Sequence, residues 1–289
     1  MTARLKAVLV SVLLAAALAA AQTSRVEFPR SIAAGDALSL STTGNGKATL
    51  YIVGPGQALR RDLQLGDKVA FGVDEIHNAG HYIVVLAGPS FSETAELDVT
   101  ARQPSALSFL AKPSRLPVDR PDGISGVVYV FDPFQNLVVQ PTNVSFELSE
   151  SAGPTRSRTV STRDGLAWVR MDSAPKAGAA QFLARVGDLT EKRIVQQVPA
   201  EPCNLRMNAH RSGNRIELET DPLRDCRGNA VPDGTIVTFK ETYQGTESTV
   251  DVPLKRGVAK TNMPVYEGGL ISVATGVVMG NEIQTKDVR

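Results

Sequence analysis

Short runs that alternate apolar and polar residues recur along the chain, and they constrain its fold more than any other feature. They are rich in Val, Ile, Thr and Tyr, and clusters of Gly, Pro, Asn and Asp separate them at roughly ten-residue spacing. A period of two places alternate side chains on opposite faces of a β-strand. The pattern predicts an all-β fold of antiparallel sandwiches, with strands near 37–41, 48–53, 81–87, 124–131, 143–148, 180–186, 235–241 and 269–275.

The N-terminal stretch MTARLKAVLVSVLLAAALAAAQTSR has the three parts of a secretory signal peptide. Arg4 and Lys6 form a basic start, an apolar run follows, and Ala21 ends a small-residue cleavage site before Gln22. The apolar run is short for a bilayer span, which needs about 20 residues, so cleavage is favoured over an uncleaved anchor. We therefore predict export to the periplasm, the cell surface or the medium, with no membrane span in the mature chain.

The charge balance excludes one class of partner. Loss of Arg4 and Lys6 with the signal peptide changes the formal net charge from +1 to −1. A near-neutral chain lacks the basic surface that nucleic acid or an anionic membrane requires. We therefore expect other envelope or extracellular proteins as partners, with a glycan as a further possibility, and no nucleic acid.

Two proline-containing joints divide the mature chain into three segments of similar size. ARQPSAL and QVPAEPCN each follow one strand-like run and lead into another. Proline fixes φ and lacks a backbone donor, so it ends a ladder and stiffens the joint. The predicted organisation is a signal peptide followed by a rod of three tandem sandwich domains, with boundaries at 1–21, 22–101, 102–199 and 200–289.

The second and third segments contain two copies of one motif, about 93 positions apart. DPFQNLVVQPTNVSF begins at Asp132, and DCRGNAVPDGTIVTF begins at Asp225. Asp and Asn side chains bond nearby backbone groups, so D-x-x-x-N predicts a chain reversal. In the strand that follows, apolar and polar residues alternate, so two residues of each copy point at the core. The predicted turn and core signature is Asp132, Asn136, Val144 and Phe146 in one copy and Asp225, Asn229, Val237 and Phe239 in the other.

This motif resembles the bacterial immunoglobulin-like modules of the invasin and intimin type. The pattern is a strand closing on D-x-x-G-N-x-V-P-x-x-x-V-x-F, later followed by D-G-x-A, and the third segment matches it closely. The second segment lacks the Gly before Asn and has its Pro later. The resemblance covers about residues 103–289. It implies immunoglobulin-like sandwich domains and an adhesion-like role.

The first segment lacks the motif but contains NAGHYIVVLAG, which looks like strand F of an immunoglobulin domain. Gly80 precedes Tyr82, and Val84 stands where a cysteine often sits. A tyrosine at this place can bond back to the backbone across a corner; a half-buried strand tyrosine is the alternative. The predicted fold is therefore three tandem immunoglobulin-like β-sandwich domains after a cleavable signal peptide.

The two cysteines, Cys203 and Cys226, are predicted to form a disulfide. Export and an even count both favour pairing. The alternating runs 204–210 and 214–220 predict a hairpin with its turn at Gly213, which brings Cys203 close to a residue in the low 220s. Cys226 misses that register by about three residues, which a β-bulge would absorb. Free buried thiols are the alternative.

The sequence shows no catalytic or metal-binding motif. It contains no G-x-S-x-G, H-E-x-x-H or C-x-x-C, and its histidines lie near predicted turns at His77, His81 and His210. Several aspartates near predicted turns lack the alternate-residue spacing of a calcium loop: Asp119, Asp122, Asp132, Asp221, Asp225 and Asp233. We therefore predict a non-enzyme with no cofactor and no metal site.

Two functions remain. The first is a structural or interaction protein of the cell envelope or extracellular space, adhesion-like, that binds other proteins through loops or sheet edges. The second is a carbohydrate-binding accessory module, which predicts a groove floored by a solvent-facing aromatic. Aromatics are 5% of the chain, with one Trp, which favours the first. Trp168 itself is predicted to lie in a core or on a sheet face, with an exposed sugar-stacking ring as the alternative.

Overall fold

The chain is all-β, as predicted. A computed structural model describes residues 25–150 and 153–288, so the predicted signal peptide at 1–21 lies outside the described residues. Within those two ranges, regular structure consists of strands β1 to β22 and a short 3₁₀ turn at Thr285–Asp287. Within residues 25–150 and 153–288, no helical segment has the length and apolar character that crossing a membrane requires.

The chain divides into two compact units. Among the described residues, the first contains 25–106 together with Phe131–Val138, and the second contains Leu107–Val130 with 139–150 and 153–288. The segment 131–138, which the sequence assigns to the second of three domains, thus belongs with the residues before 107. The three-domain boundaries remain a prediction.

The first unit is a sandwich of one five-stranded and one two-stranded sheet. Its strands are β1 Ser31–Ala33, β2 Leu38–Ser41, β3 Lys47–Gly54, β4 Gln57–Gln64, β5 Lys68–Phe71, β6 Gly80–Gly88 and β7 Phe91–Thr100. The sheet orders are β1-β7-β6-β3-β4 and β2-β5. β1 runs parallel to β7, with Ser31 beside Asp98, while the other pairs are antiparallel.

Alternate residues of facing strands fill the core of this unit. Tyr82, Val84 and Leu86 of β6 are buried, and Leu40 and Phe71 of the two-stranded sheet belong to the same apolar cluster. The residues between them point outward, which is the period-two pattern that the sequence shows.

Two further pairs of sheets follow along the chain. The first pair has orders β13-β10-β8 and β12-β11-β14-β15-β9, and the second has β16-β17-β20 and β19-β18-β21-β22. β9 lies parallel to β15, as β1 does to β7. The strands are β8 Ala106–Lys112, β9 Arg115–Pro117, β10 Ile124–Phe131, β11 Asn143–Glu150, β12 Arg156–Ser161, β13 Leu166–Met171, β14 Gly178–Val186, β15 Leu189–Val198, β16 Met207–Ser212, β17 Arg215–Thr220, β18 Ile236–Tyr243, β19 Thr246–Pro253, β20 Lys260–Pro264, β21 Leu270–Thr275 and β22 Val278–Gln284.

Candidate functional site

The first D-x-x-x-N turn, Asp132–Asn136, is held by a dense set of hydrogen bonds around a buried carboxylate. Asp132 Oδ1 accepts from the backbone N–H of Phe134 at 2.9 Å and of Asn136 at 2.8 Å. Its Oδ2 accepts from Arg102 N–H at 3.0 Å and from Asn136 Nδ2 at 2.9 Å. The Asp132 side chain is fully buried. The carboxylate thus bonds both to the backbone of its own turn and to the backbone of Arg102.

Asn136 bonds to a second loop, at residues 77–79. Its Oδ1 accepts from Ala79 N–H at 2.8 Å, and its Nδ2 donates to His77 O at 2.8 Å. Residues 77–79, 102 and 131–138 all belong to the first unit. The Asn136 side chain thus both donates to and accepts from the backbone just before β6, an arrangement called here a clamp.

Gln135 takes the place of the glycine that the motif has before Asn. It adopts the left-handed conformation, with φ of 65°, and Gly228 of the other copy has φ of 79°. The looser copy of the motif therefore forms the same turn without glycine, and it accepts the strain of a side chain at positive φ.

The second D-x-x-x-N turn, Asp225–Asn229, repeats this geometry inside the second unit. Asp225 Oδ1 accepts from Arg227 N–H and Asn229 N–H, both at 2.9 Å, and Oδ2 accepts from Ala200 N–H at 3.1 Å. Asn229 Nδ2 also donates to Asp225 Oδ2 at 2.8 Å.

Asn229 clamps its own second loop, at residues 175–177. It accepts from Ala177 N–H at 3.0 Å and donates to Pro175 O at 2.9 Å. These residues lie just before β14, as 77–79 lie just before β6. Two further interactions strengthen this contact. Arg227 forms an ion pair with Asp119, and Lys176 Nζ donates a hydrogen bond to Arg227 O at 2.9 Å.

Both aspartates remain ionised in these surroundings. Burial alone raises the pKa of Asp132 and of Asp225, but hydrogen bonds from the asparagine and from backbone N–H groups outweigh burial and hold each pKa below its ordinary value. Carboxylates that accept several N–H bonds favour their charged form. Their oxygen atoms are thereby occupied, so these two aspartates are turn organisers.

The strand that follows each turn contributes two residues to a core. Val144, Phe146, Val237 and Phe239 are fully buried. Phe146 lies 6.1 Å from the ring of Phe182, measured between centroids. The repeat therefore combines a polar turn with an alternating strand that packs inward.

Cys203 and Cys226 form a disulfide, with their Cα atoms 5.1 Å apart. The route to this pairing differs from the predicted one. The hairpin register that places Met207 opposite Thr220 extends unchanged to Pro202 opposite Asp225, and Cys203 N–H bonds to Arg224 O at 3.0 Å. No bulge is needed there, because the D-x-x-x-N turn itself curls Cys226 back over the strand.

Tyr82 forms the predicted corner. The side chain is fully buried, and its hydroxyl donates to Asn78 O at 2.8 Å, with Gln57 Oε1 at 3.0 Å. Burial raises the pKa of this phenol despite the hydrogen bond to Asn78. The alternative of a half-buried strand tyrosine is excluded.

Many of the remaining titratable groups form ion pairs near the surface. In the two described ranges, no group of three or more His, Cys, Asp or Glu side chains is placed to hold a metal ion. His81 pairs with Asp98 on the surface, at 2.9 Å, and this hydrogen bond raises the pKa of the imidazole. Asp233 accepts from the backbone N–H groups of Arg256 and Gly257, both at 2.8 Å.

Two features were not predicted as sites. Trp168 points outward from β13 and is 59% exposed, so it lies on a sheet face and not in a core. Glu241 is buried on β18, and its Oε2 has no hydrogen-bond partner within the described residues. Burial raises the pKa of this carboxyl, although a hydrogen bond from Tyr266 N–H acts to lower it. The alternation of apolar and polar residues along β13 is the sequence signal that places Trp168 on one face of the strand.

The comparisons with known proteins bear on the fold. No protein-family model and no curated protein matches the sequence. Among solved structures, FdeC, a broadly conserved Escherichia coli adhesin, matches at 15% identity and a TM-score of 0.61, covering 86% of this chain and 89% of that chain. Invasin, a bacterial integrin-binding protein, matches at 9% identity and a TM-score of 0.46, over 84% and 54%. The FN1–FN3 domains of chicken CNTN1 match at 12% identity and a TM-score of 0.36, over 89% and 94%.

The match to FdeC shows a shared fold. An identity of 15% is too low to assign an activity. The chain therefore has an immunoglobulin-like β-sandwich fold, which it shares with the FdeC structure.

Proposed function

We propose that this chain is an exported, non-enzymatic protein of the cell envelope or extracellular space that acts by adhesion-type binding to other proteins. The observation that supports this most is the fold that it shares with the adhesin FdeC over 86% of its length. The predicted signal peptide at 1–21 supplies the route out of the cell. The sites that the structure does display are polar turns, a disulfide and exposed sheet faces, which suit binding and support.

Export is tested by expressing the full chain with a C-terminal tag in a Gram-negative host and measuring the intact mass of the product in each fraction. We expect a mature protein that begins at Gln22, in the periplasm, on the surface or in the medium. A tagged protein of full mass confined to the cytoplasm would refute the proposal.

Adhesion is tested separately with the purified mature chain. Beads coated with it should bind cell monolayers or immobilised extracellular proteins more than beads coated with an unrelated β-sandwich protein of similar charge. Equal binding of the two bead types would remove the adhesion half of the proposal and leave export standing.

Carbohydrate binding is a second candidate function, and one observation favours it. The single Trp of the chain is 59% exposed on an outward sheet face. Large aromatics are usually mostly buried, and exposed rings commonly serve recognition.

A further inference from the structure

We infer that the groove around Trp168 binds an acidic saccharide, an inference that rests on the second candidate function. The groove, here called the Trp168 groove, is defined by Arg158 and Val160 of β12, Arg163 of the connecting turn, and Trp168 and Arg170 of β13. All of these residues belong to the second unit.

The groove lies where two sheets end side by side. β12 is the edge strand of the five-stranded sheet, and β13 is the edge strand of the three-stranded sheet. Trp168 lines two recesses there, one of about 690 Å³ and one of about 430 Å³. Volumes between about 300 and 1,000 Å³ are usual for small-molecule sites.

The strand pattern fixes the direction of each side chain. On β13, Ala167 and Val169 are buried, so Trp168 and Arg170 face outward. On β12, Arg158 is paired with Phe146 and Val160 with Val144. Directly opposed residues share a face, so Arg158 and Val160 lean toward the gap between the sheets. Arg158, Trp168 and Arg170 nevertheless line one recess, so a guanidinium group from each strand borders the indole.

The charges around the ring favour an anion. Arg158, Arg163 and Arg170 are exposed, and within residues 25–150 and 153–288 none of the three guanidinium groups forms an ion pair or a side-chain hydrogen bond. Asp122 is the acidic residue that lines the same space. Planar guanidinium groups bind carboxylate or sulfate in a bidentate manner. The apolar face of an indole stacks on the C–H face of a pyranose ring.

The geometry favours a saccharide over an acidic peptide. An extended peptide would gain affinity by pairing with a free sheet edge. Arg158 points a charge inward from the β12 edge, which is an arrangement that sheets use to prevent strand addition. A saccharide needs no ladder of backbone hydrogen bonds and stacks on the ring from the open side.

The chain supplies its own probe, because Trp168 is its one tryptophan. The mature full chain is titrated with an oligogalacturonate, a heparin-derived oligosaccharide, neutral maltohexaose and oligoglutamate, while Trp emission and acrylamide quenching are recorded. We expect one or both acidic saccharides to shift the emission and protect the ring. Maltohexaose and oligoglutamate should bind at least about tenfold more weakly. The oligogalacturonate and heparin arms distinguish carboxylate from sulfate.

Variants locate the site. Arg158→Gln combined with Arg170→Gln should weaken binding of the acidic saccharide at least about tenfold. Arg185→Gln, an exposed arginine of β14 outside the groove, should leave it unchanged. Trp168→Ala should abolish measurable binding by calorimetry and Trp168→Phe should retain part of it, both with an unchanged circular dichroism spectrum.

Four outcomes would overturn the inference. Equal binding of oligoglutamate would assign the groove to an acidic protein segment, and an equal loss in Arg185→Gln would reduce the effect to general charge attraction. Preference for maltohexaose would uphold carbohydrate binding and refute the acidic class. Failure of every saccharide would refute both carbohydrate binding and the groove, while the export and bead measurements would still decide the adhesion proposal.

Discussion

Asn136 and Asn229 each bond to backbone far from them in sequence, which turns a local turn into a tertiary clamp. The sequence predicts the reversal, because Asp and Asn at this spacing satisfy nearby backbone groups. It does not predict the contacts to residues 77–79 and 175–177, since these depend on which loop the fold brings alongside. The orphan oxygen of Glu241 is another feature that only packing decides, because glutamate on a strand is ordinarily a surface residue.

We predict that Asn229→Ala destabilises the protein by about 1–2 kcal/mol, since one part-buried hydrogen bond of about 1 kcal/mol and two exposed ones of less than about 0.5 kcal/mol each are lost. Those bonds join Asn229 to Ala177, Pro175 and Asp225. Urea unfolding followed by circular dichroism measures the loss, and hydrogen exchange at 176–178 should increase.

Asn208→Ala is the matched control for this prediction. Asn208 Nδ2 makes one exposed hydrogen bond, 2.8 Å long, to Asp221 Oδ1. Its removal should cost less than about 0.5 kcal/mol. If the two alanine variants unfold at the same urea concentration, the clamp has no energetic role.

Among the strands, interior ones were predictable and several edge strands were not. β6, β11 and β21 alternate buried and less buried residues, as their sequences do. β4 and β19 lie at sheet edges and have no fully buried residue. An edge strand of this kind buries too little apolar surface to leave a period-two signal, so its position depends on the neighbour that it pairs with.

The disulfide stabilises the second D-x-x-x-N turn, which leads into β18. Cys203 and Cys226 are 23 positions apart, and closing a loop of that size stabilises by about 3 kcal/mol in the chain-entropy model. We predict that reduction of the full chain lowers the melting temperature of the core that contains Val237 and Phe239 by roughly 10 °C. The first turn has Pro133 at the equivalent position, and its protection from hydrogen exchange should not change.

The variant with both Cys203→Ser and Cys226→Ser gives the control. It should melt near the temperature of the reduced protein and show no further response to reductant. Two free thiols in the untreated exported protein would contradict the pairing.

At the scale of the whole molecule, the same turn recurs in both compact units, and its two buried aspartates give the protein a common response to acid. The pKa of Asp132 and of Asp225 lies below the ordinary value. Each therefore contributes stability that is complete above the unfolded pKa of about 3.9 and is lost as pH falls through the folded pKa. Glu241 has the opposite sign, because its raised pKa gives stability that is present at low pH and lost as pH rises through the folded value.

We predict that stability falls steeply below about pH 4, by up to about 1.4 kcal/mol per pH unit for each of the two aspartates. Asp132→Asn and Asp225→Asn should each lower stability at pH 7 and flatten this acid slope, because the variant has one titrating carboxylate fewer. Urea unfolding from pH 5 to pH 2.5 measures the slopes. Asp188→Asn, an exposed turn residue, should keep the slope of the parent protein. A parent protein whose stability does not change over this range would show that neither buried turn depends on its charge.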